Sequence, residues 1–77
     1  MSLEDRLASR LALALPDVPP EAIPSASSST VPTWDSLATV NIVSMIEEEF
    51  ALQVPLADLE HFVSYEKILA YLKSRVE

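Results

Sequence analysis

Trp34-Asp35-Ser36-Leu37-Ala38-Thr39-Val40-Asn41-Ile42-Val43-Ser44-Met45-Ile46-Glu47-Glu48-Glu49-Phe50 sets the architecture of this 77-residue chain. It reads as one amphipathic helix with a serine at its mouth. Pro32 and Thr33 stand just before it, and a proline there rules out an earlier helical turn. Asp35 suits the N-cap, because its carboxylate accepts from backbone N–H groups that have no intrahelical partner. Ser36 then takes the first helical position, where the dipole favours an anion such as a phosphate ester. Thr39, Ile42, Val43, Ile46 and Phe50 recur at three- and four-residue steps and form the expected buried stripe. Leu37, Asn41, Ser44 and Glu48 form the opposite stripe, with Val40 and Glu47 on its border. Leu37 is therefore an apolar side chain facing solvent one residue past the serine, a candidate partner contact.

Toward the N-terminus, Ser2 and Asp5 make a variant capping box with Asp in place of Glu. Leu3, Leu7, Leu11, Ala14 and Leu15 keep helical spacing, which predicts a first helix of about 13 residues stopped by Pro16. Leu13 falls off that stripe. Residues 16–33 hold Pro16, Pro19, Pro20, Pro24 and Pro32 and a serine cluster from Ser25 to Ser29. A flexible linker is one reading of such a tract. A single preceding helix cannot build a core, however, so the segment is expected to cross the domain and anchor through Val18, Ile23, Val31 and Trp34. Pro20 to Ile23 is expected to form one helical turn.

Toward the C-terminus, Ala51 to Val54 reads as a turn or extended piece. Pro55 suits the first position of a short helix, Pro55 to Glu60. Phe62 and Val63 are expected to point inward. Ser64 caps a last helix with the stripe Tyr65, Ile68, Leu69, Leu72 and Val76, and Lys73 and Arg75 lie favourably near its end. No period-2 strand and no glycine for a tight hairpin is present. The fold expected is all-α: a small antiparallel bundle of three main helices plus one short helix.

Composition narrows the function. A chain of this length holds one small core, and 49% hydrophobic content supports packing it. With no cysteine there is no disulfide framework or thiolate metal site, which fits a cytoplasmic protein. No apolar run approaches the roughly 20 residues of a membrane span, and Glu4 and Asp5 argue against a signal peptide. The formal charge of −7 disfavours nucleic acid and suits a partner with a basic docking patch.

Each candidate residue also has a plainer reading. Ser36 could be an ordinary first-turn polar residue. A catalytic serine needs a nearby base, and the only histidine, His61, lies in another segment, read as solvated. Glu47, Glu48 and Glu49 are consecutive, and helical neighbours point about 100° apart, so they cannot converge on one metal ion. Glu49 is expected on a solvated face, while Glu47 and Glu48 lean toward Leu37 and could meet a partner's Arg or Lys. Trp34 is expected as a core plug, with an exposed contact as the alternative.

The central stretch resembles the acyl carrier proteins, in particular the discrete bacterial type. Asp35-Ser36-Leu37 matches the family's Asp-Ser-Leu. Thr39-Val40, Ile42-Val43 and Glu47 to Phe50 follow its continuation, Leu3 to Leu7 looks like its first helix, and Val54-Pro55 like the beginning of its short third helix. The resemblance covers essentially the whole chain and implies a single carrier domain, residues 1–77, of the same helical architecture. It implies that Ser36, flanked by Asp35 and Leu37, carries a 4'-phosphopantetheine arm donated by coenzyme A. A separate Mg²⁺-dependent phosphopantetheinyl transferase would install it.

The arm's thiol would hold acyl or aminoacyl groups as thioesters for fatty-acid, polyketide or specialised biosynthesis. The chain itself would be no enzyme. A cargo-loading ligase or acyltransferase and downstream enzymes would dock on Leu37, Val40, Asn41, Ser44, Glu47 and Glu48 of a monomer. The sequence departs from the family where Pro32-Thr33 replaces Leu-Gly, and the usual aromatic and leucine anchors of the long loop are not evident. Ala38, Asn41 and Ser44 replace Asp, Glu and Met, and Leu56 and Ala57 partly replace acids. The alternative is a small acidic helical interaction module without a prosthetic group. An enzyme would need a nucleophile–base pair, a metal constellation or a glycine phosphate loop.

Overall fold

The computed structural model describes residues 2–76, the last as backbone alone. Met1 and Glu77, included in the single-domain expectation, and the Val76 side chain, expected on the last stripe, lie outside it. The described residues form three α-helices: α1 (Leu3–Ala14), α2 (Ser36–Phe50) and α3 (Tyr65–Val76). Two six-residue 3-10 helices, Pro20–Ser25 and Leu56–His61, lie between them. Among the described residues there is no strand, so the expected all-α bundle is what forms.

The helix boundaries follow from local chemistry. Ser2 Oγ accepts from the Asp5 N–H (3.1 Å) to open α1, Asp35 opens α2, and Ser64 Oγ accepts from the Lys67 N–H (3.1 Å) to open α3. Side-chain oxygens there satisfy donors that the first helical turn cannot. The last carbonyls of α2 are met differently. Ala51 adopts a left-handed conformation (φ 52°, ψ 48°), and its N–H donates to the Glu47 carbonyl. That position ordinarily takes glycine, and the chain has none. Pro55 precedes the second 3-10 helix instead of opening it, a shift of one residue from expectation: its extended ψ of 152° keeps it outside the helical turn.

Leu7, Leu11 and Leu15 of the first segment, Ile42, Val43, Ile46 and Phe50 of α2, and Tyr65, Ile68 and Leu72 of α3 close one core. Both α2 and the region of α3 depart in places from the expected stripes. Ala38 is buried while Thr39 is only half-buried, because the Thr39 hydroxyl is spent on the helix mouth and the small Ala38 methyl turns inward. Tyr71 joins the core, whereas Leu69 is half-buried at its border and Val63, next to buried Phe62, is half-buried too. The Tyr71 hydroxyl donates to Asp58 Oδ2 (2.7 Å), and Arg75 donates to the same oxygen at 3.0 Å. This carboxylate ties the second 3-10 helix to α3. Lys73 lies 3.8 Å from Glu4, so both basic residues near the end of α3 face carboxylates rather than the helix end alone.

α1 and α2 run antiparallel. Arg6 and Arg10 of α1 both reach Glu49 in the last turn of α2, at 2.7 and 2.6 Å. Arg6 also donates to the Glu49 carbonyl (2.8 Å), and its guanidinium lies over the Phe50 ring. Glu49 is thus only 18% exposed, which corrects the solvated face expected for it. The reason is the rotation of α2: the stripe that buries Ile46 and Phe50 brings Glu49 to the edge of α1.

The long loop crosses the domain, as the anchoring argument requires. Ile23, Ala26, Val31 and Trp34 are buried, and Val18 is half-buried against the core. Its middle is pinned to the start of α3. Ser28 N–H donates to the Val63 carbonyl (2.7 Å), and Tyr65 N–H donates to the Ala26 carbonyl (3.1 Å). Turns at Ser27–Thr30 and Val31–Trp34 then deliver the chain to α2.

Candidate functional site

The mouth of α2 is built on Trp34 and Asp35. Trp34 is 3% exposed, a core plug as expected, and its indole N–H donates to Thr39 Oγ1 (3.2 Å). Thr39 Oγ1 in turn donates to the Asp35 carbonyl (3.0 Å). Asp35 is extended (φ −98°, ψ −170°), and its Oδ1 accepts from the Ala38 N–H at 2.9 Å. The Thr39 N–H goes to the Asp35 carbonyl (3.0 Å). This leaves the Ser36 and Leu37 N–H groups, the first two of the helix, directed out of its mouth.

Ser36 is exposed as the first residue of α2. Among the described residues none hydrogen-bonds its hydroxyl. The arrangement presents a free alcohol beside two outward N–H groups at the positive end of a 15-residue helix. Such a mouth accommodates a phosphodiester. His61 is exposed, with its ring 5.5 Å from that of Tyr71 and Glu60 as its charged neighbour. Among the described residues no group of three or more His, Cys, Asp or Glu side chains is placed to hold a metal ion.

The outer face of α2 carries the residues expected there. Leu37 is 69% and Val40 53% exposed, and Asn41, Ser44 and Glu48 are exposed. Glu47 is half-buried, and its Oε2 accepts from the Val54 N–H (2.9 Å). One of its oxygens thus holds the chain after α2 in place. The three consecutive glutamates therefore do three different things. Glu47 ties down the following turn, Glu48 stands in solvent, and Glu49 clamps α1. The guanidiniums of Arg6 and then Arg10 hold the Glu49 carboxyl below its usual range. Ala38, a departure from the family like Asn41 and Ser44, is buried and so stands apart from the outer face. Leu56, at the start of the second 3-10 helix, is 83% exposed, the barest large apolar side chain among the described residues. In the sequence Leu56 stands out only as a departure from the family, and its place directly after Pro55 is the signal for its exposure.

Comparison with known families gives a match to the family model described as "Phosphopantetheine attachment site" over residues 34–72. The matched stretch begins at Trp34, holds all of α2 and the second 3-10 helix, and ends in α3. It spans just over half of the 77 residues.

Proposed function

The chain belongs to the phosphopantetheine-attachment family, and from that premise we propose that Ser36 is its attachment residue. Members carry a 4'-phosphopantetheine group covalently on a serine and serve as carriers for other enzymes. The observation that supports Ser36 is its position: an exposed hydroxyl at the first residue of α2, capped by Asp35, two residues into the matched stretch. Coenzyme A would donate the arm. The Ser36 hydroxyl gives up its proton, Oγ bonds the phosphorus that bears pantetheine, and adenosine 3',5'-bisphosphate leaves. A phosphopantetheinyl transferase supplies base and metal for that step. Once bound, the arm contributes a thiol that holds cargo as a thioester. The residues here anchor it and leave it accessible: Asp35 shapes the mouth, and Trp34 holds the loop in front of it.

The chain acts as one cytoplasmic, monomeric carrier domain without activity of its own, and partners dock on the exposed side of α2. Leu37 and Val40 supply the apolar contact, Glu48 faces a basic rim, and Asn41 and Ser44 lie between them. Glu47 contributes its remaining oxygen. Neutral Asn41 and Ser44 leave less charge for steering than an all-acidic face would, and this points to a dedicated loading ligase or acyltransferase. The cargo then belongs to a specialised route rather than to general fatty-acid synthesis. Intact mass after incubation with coenzyme A and a phosphopantetheinyl transferase tests the attachment. The chain should gain one arm, and Ser36→Ala should gain none. An arm on Ser36→Ala, or none on the wild type, would defeat the reading.

A further inference from the structure

A second feature shares the Ser36 end of the bundle. The long loop folds around an open cleft of about 540 Å³, within the range of small-molecule sites. Ala26 and Val31 form its buried floor, Val18 and Ala22 its half-buried walls, and Thr30 and Thr33 part of its exposed rim. The floor and walls are aliphatic, while the rim offers hydroxyls and the exposed Asp17 carboxylate.

Two independent constraints place this cleft beside the mouth of α2. Thr33 is three residues before Ser36, so their Cα atoms are separated by at most about 11 Å. The other wall follows α1, whose antiparallel course is fixed by the Arg6 and Arg10 contacts with Glu49. The C-terminal end of α1, and Val18 just after it, therefore lie toward the N-terminal end of α2. The inward face of α2 is closed in contrast, with Ile42 and Ile46 essentially fully buried.

We propose that this loop cleft is the resting site of the distal half of the arm on Ser36, its β-alanine and cysteamine units together with a small cargo. The inference rests on the reading of Ser36 as the attachment residue. A chain of pantoate, β-alanine and cysteamine in series is longer than the gap from Ser36 to Thr33. Its methylenes match the aliphatic floor, and its two amides need hydrogen-bond partners when they leave water. The Thr33 hydroxyl, with no hydrogen bond among the described residues, is placed to serve one. The cleft is open, so the arm leaves it readily when a partner docks. Tethering makes occupancy intramolecular, so weak contacts suffice.

The test uses the full chain, isotopically labelled, before and after modification, with one arm per chain first confirmed by mass. Filtered NOE spectra of the modified chain should connect arm methylenes to the Val18 and Val31 methyls. The Ala22 and Ala26 amides should shift relative to the unmodified chain. Ala22→Leu fills the wall and should abolish those NOEs. Alkylation of the arm thiol by a bulky maleimide should be slower in the wild type than in this variant. Thr33→Val, at an exposed rim position, is the second variant and should weaken the same NOEs if Ala22→Leu disturbs folding. Contacts confined to residues 34–40, or directed to Ile42, Ile46 and Leu72, would overturn the cleft while leaving Ser36 as the attachment residue. Failure of Ser36 to gain an arm would remove both.

Discussion

Ala51 offers a sharp test of the backbone at the end of α2. It holds φ 52° and ψ 48° and donates its N–H to the Glu47 carbonyl, with Leu52 N–H directed to the same oxygen at 3.3 Å. For an L-residue with a side chain this conformation costs about 1–2 kcal/mol, because Cβ crowds a carbonyl oxygen. Glycine has no such clash, but it adds about 0.4–1 kcal/mol of unfolded-state entropy to be lost on folding. Ala51 is exposed, so removing its methyl forfeits no core contact. The net expectation for Ala51→Gly is a gain of about 0.5–1 kcal/mol. In a domain of this size that raises Tm by about 2–8 °C. Far-UV circular dichroism melts of the unmodified chain read this directly. Ala51→Val is the opposing control, since a branched side chain is worse still in this region, and it should melt lower than the wild type. A fall in Tm for Ala51→Gly would show that the left-handed turn is not the conformation in solution.

Trp34→Ala should destabilise the chain by about 3–5 kcal/mol, since it empties a fully packed site and orphans the Thr39 contact; a Tm shift of a degree or two in thermal melts would refute the plug. Glu49, whose carboxyl is held below the usual 4.5 by hydrogen bonds from Arg6 and then Arg10, contributes stability that is present above that pH and lost as pH falls through its lowered folded value. Glu49→Gln should therefore melt lower than the wild type at neutral pH, with the difference shrinking as the solution is acidified, and a constant difference down to pH 2 would sink the clamp. Leu37→Ala should weaken loading by a dedicated partner more than Glu48→Gln does, because an exposed ion pair contributes only about 0.2–1 kcal/mol. Kinetics of loading on the modified chain over a salt series checks this, and steep salt sensitivity with Leu37→Ala unaffected would contradict it.

Covalent neighbours alone mark out most of the helical frame. Ser2, Asp35 and Ser64 sit where helices begin, and the prolines at 16 and 32 bound the long loop. These are contacts across three or four residues, with chemistry carried by the side chains themselves. The same local grammar put Ser36 at the first position of α2, and one spare tryptophan ahead of a helix with an apolar stripe was enough to read Trp34 as buried.

The errors fall at residues whose role depends on a distant element. Glu49 is drawn out of solvent by Arg6 and Arg10, 43 and 39 residues away, which no local pattern reveals. Periodicity gives the direction a side chain points along one helix, but not which helix lies across from it. Glu47, on the border of the outer stripe, and Glu48, within it, are both expected to meet a partner's Arg or Lys, but the turn to Val54 takes one oxygen of Glu47. The exchange of Ala38 for Thr39, the pinning of the loop by Val63 and Tyr65, and the Asp58 hub of Tyr71 and Arg75 have the same origin. So has the loop cleft, whose walls at Val18 and Ala22 and floor at Ala26 and Val31 come together only once the long loop is folded onto the helices. A rotation of a helix by a fraction of a turn changes which of its neighbours is buried, and that rotation is fixed by packing among all three helices at once.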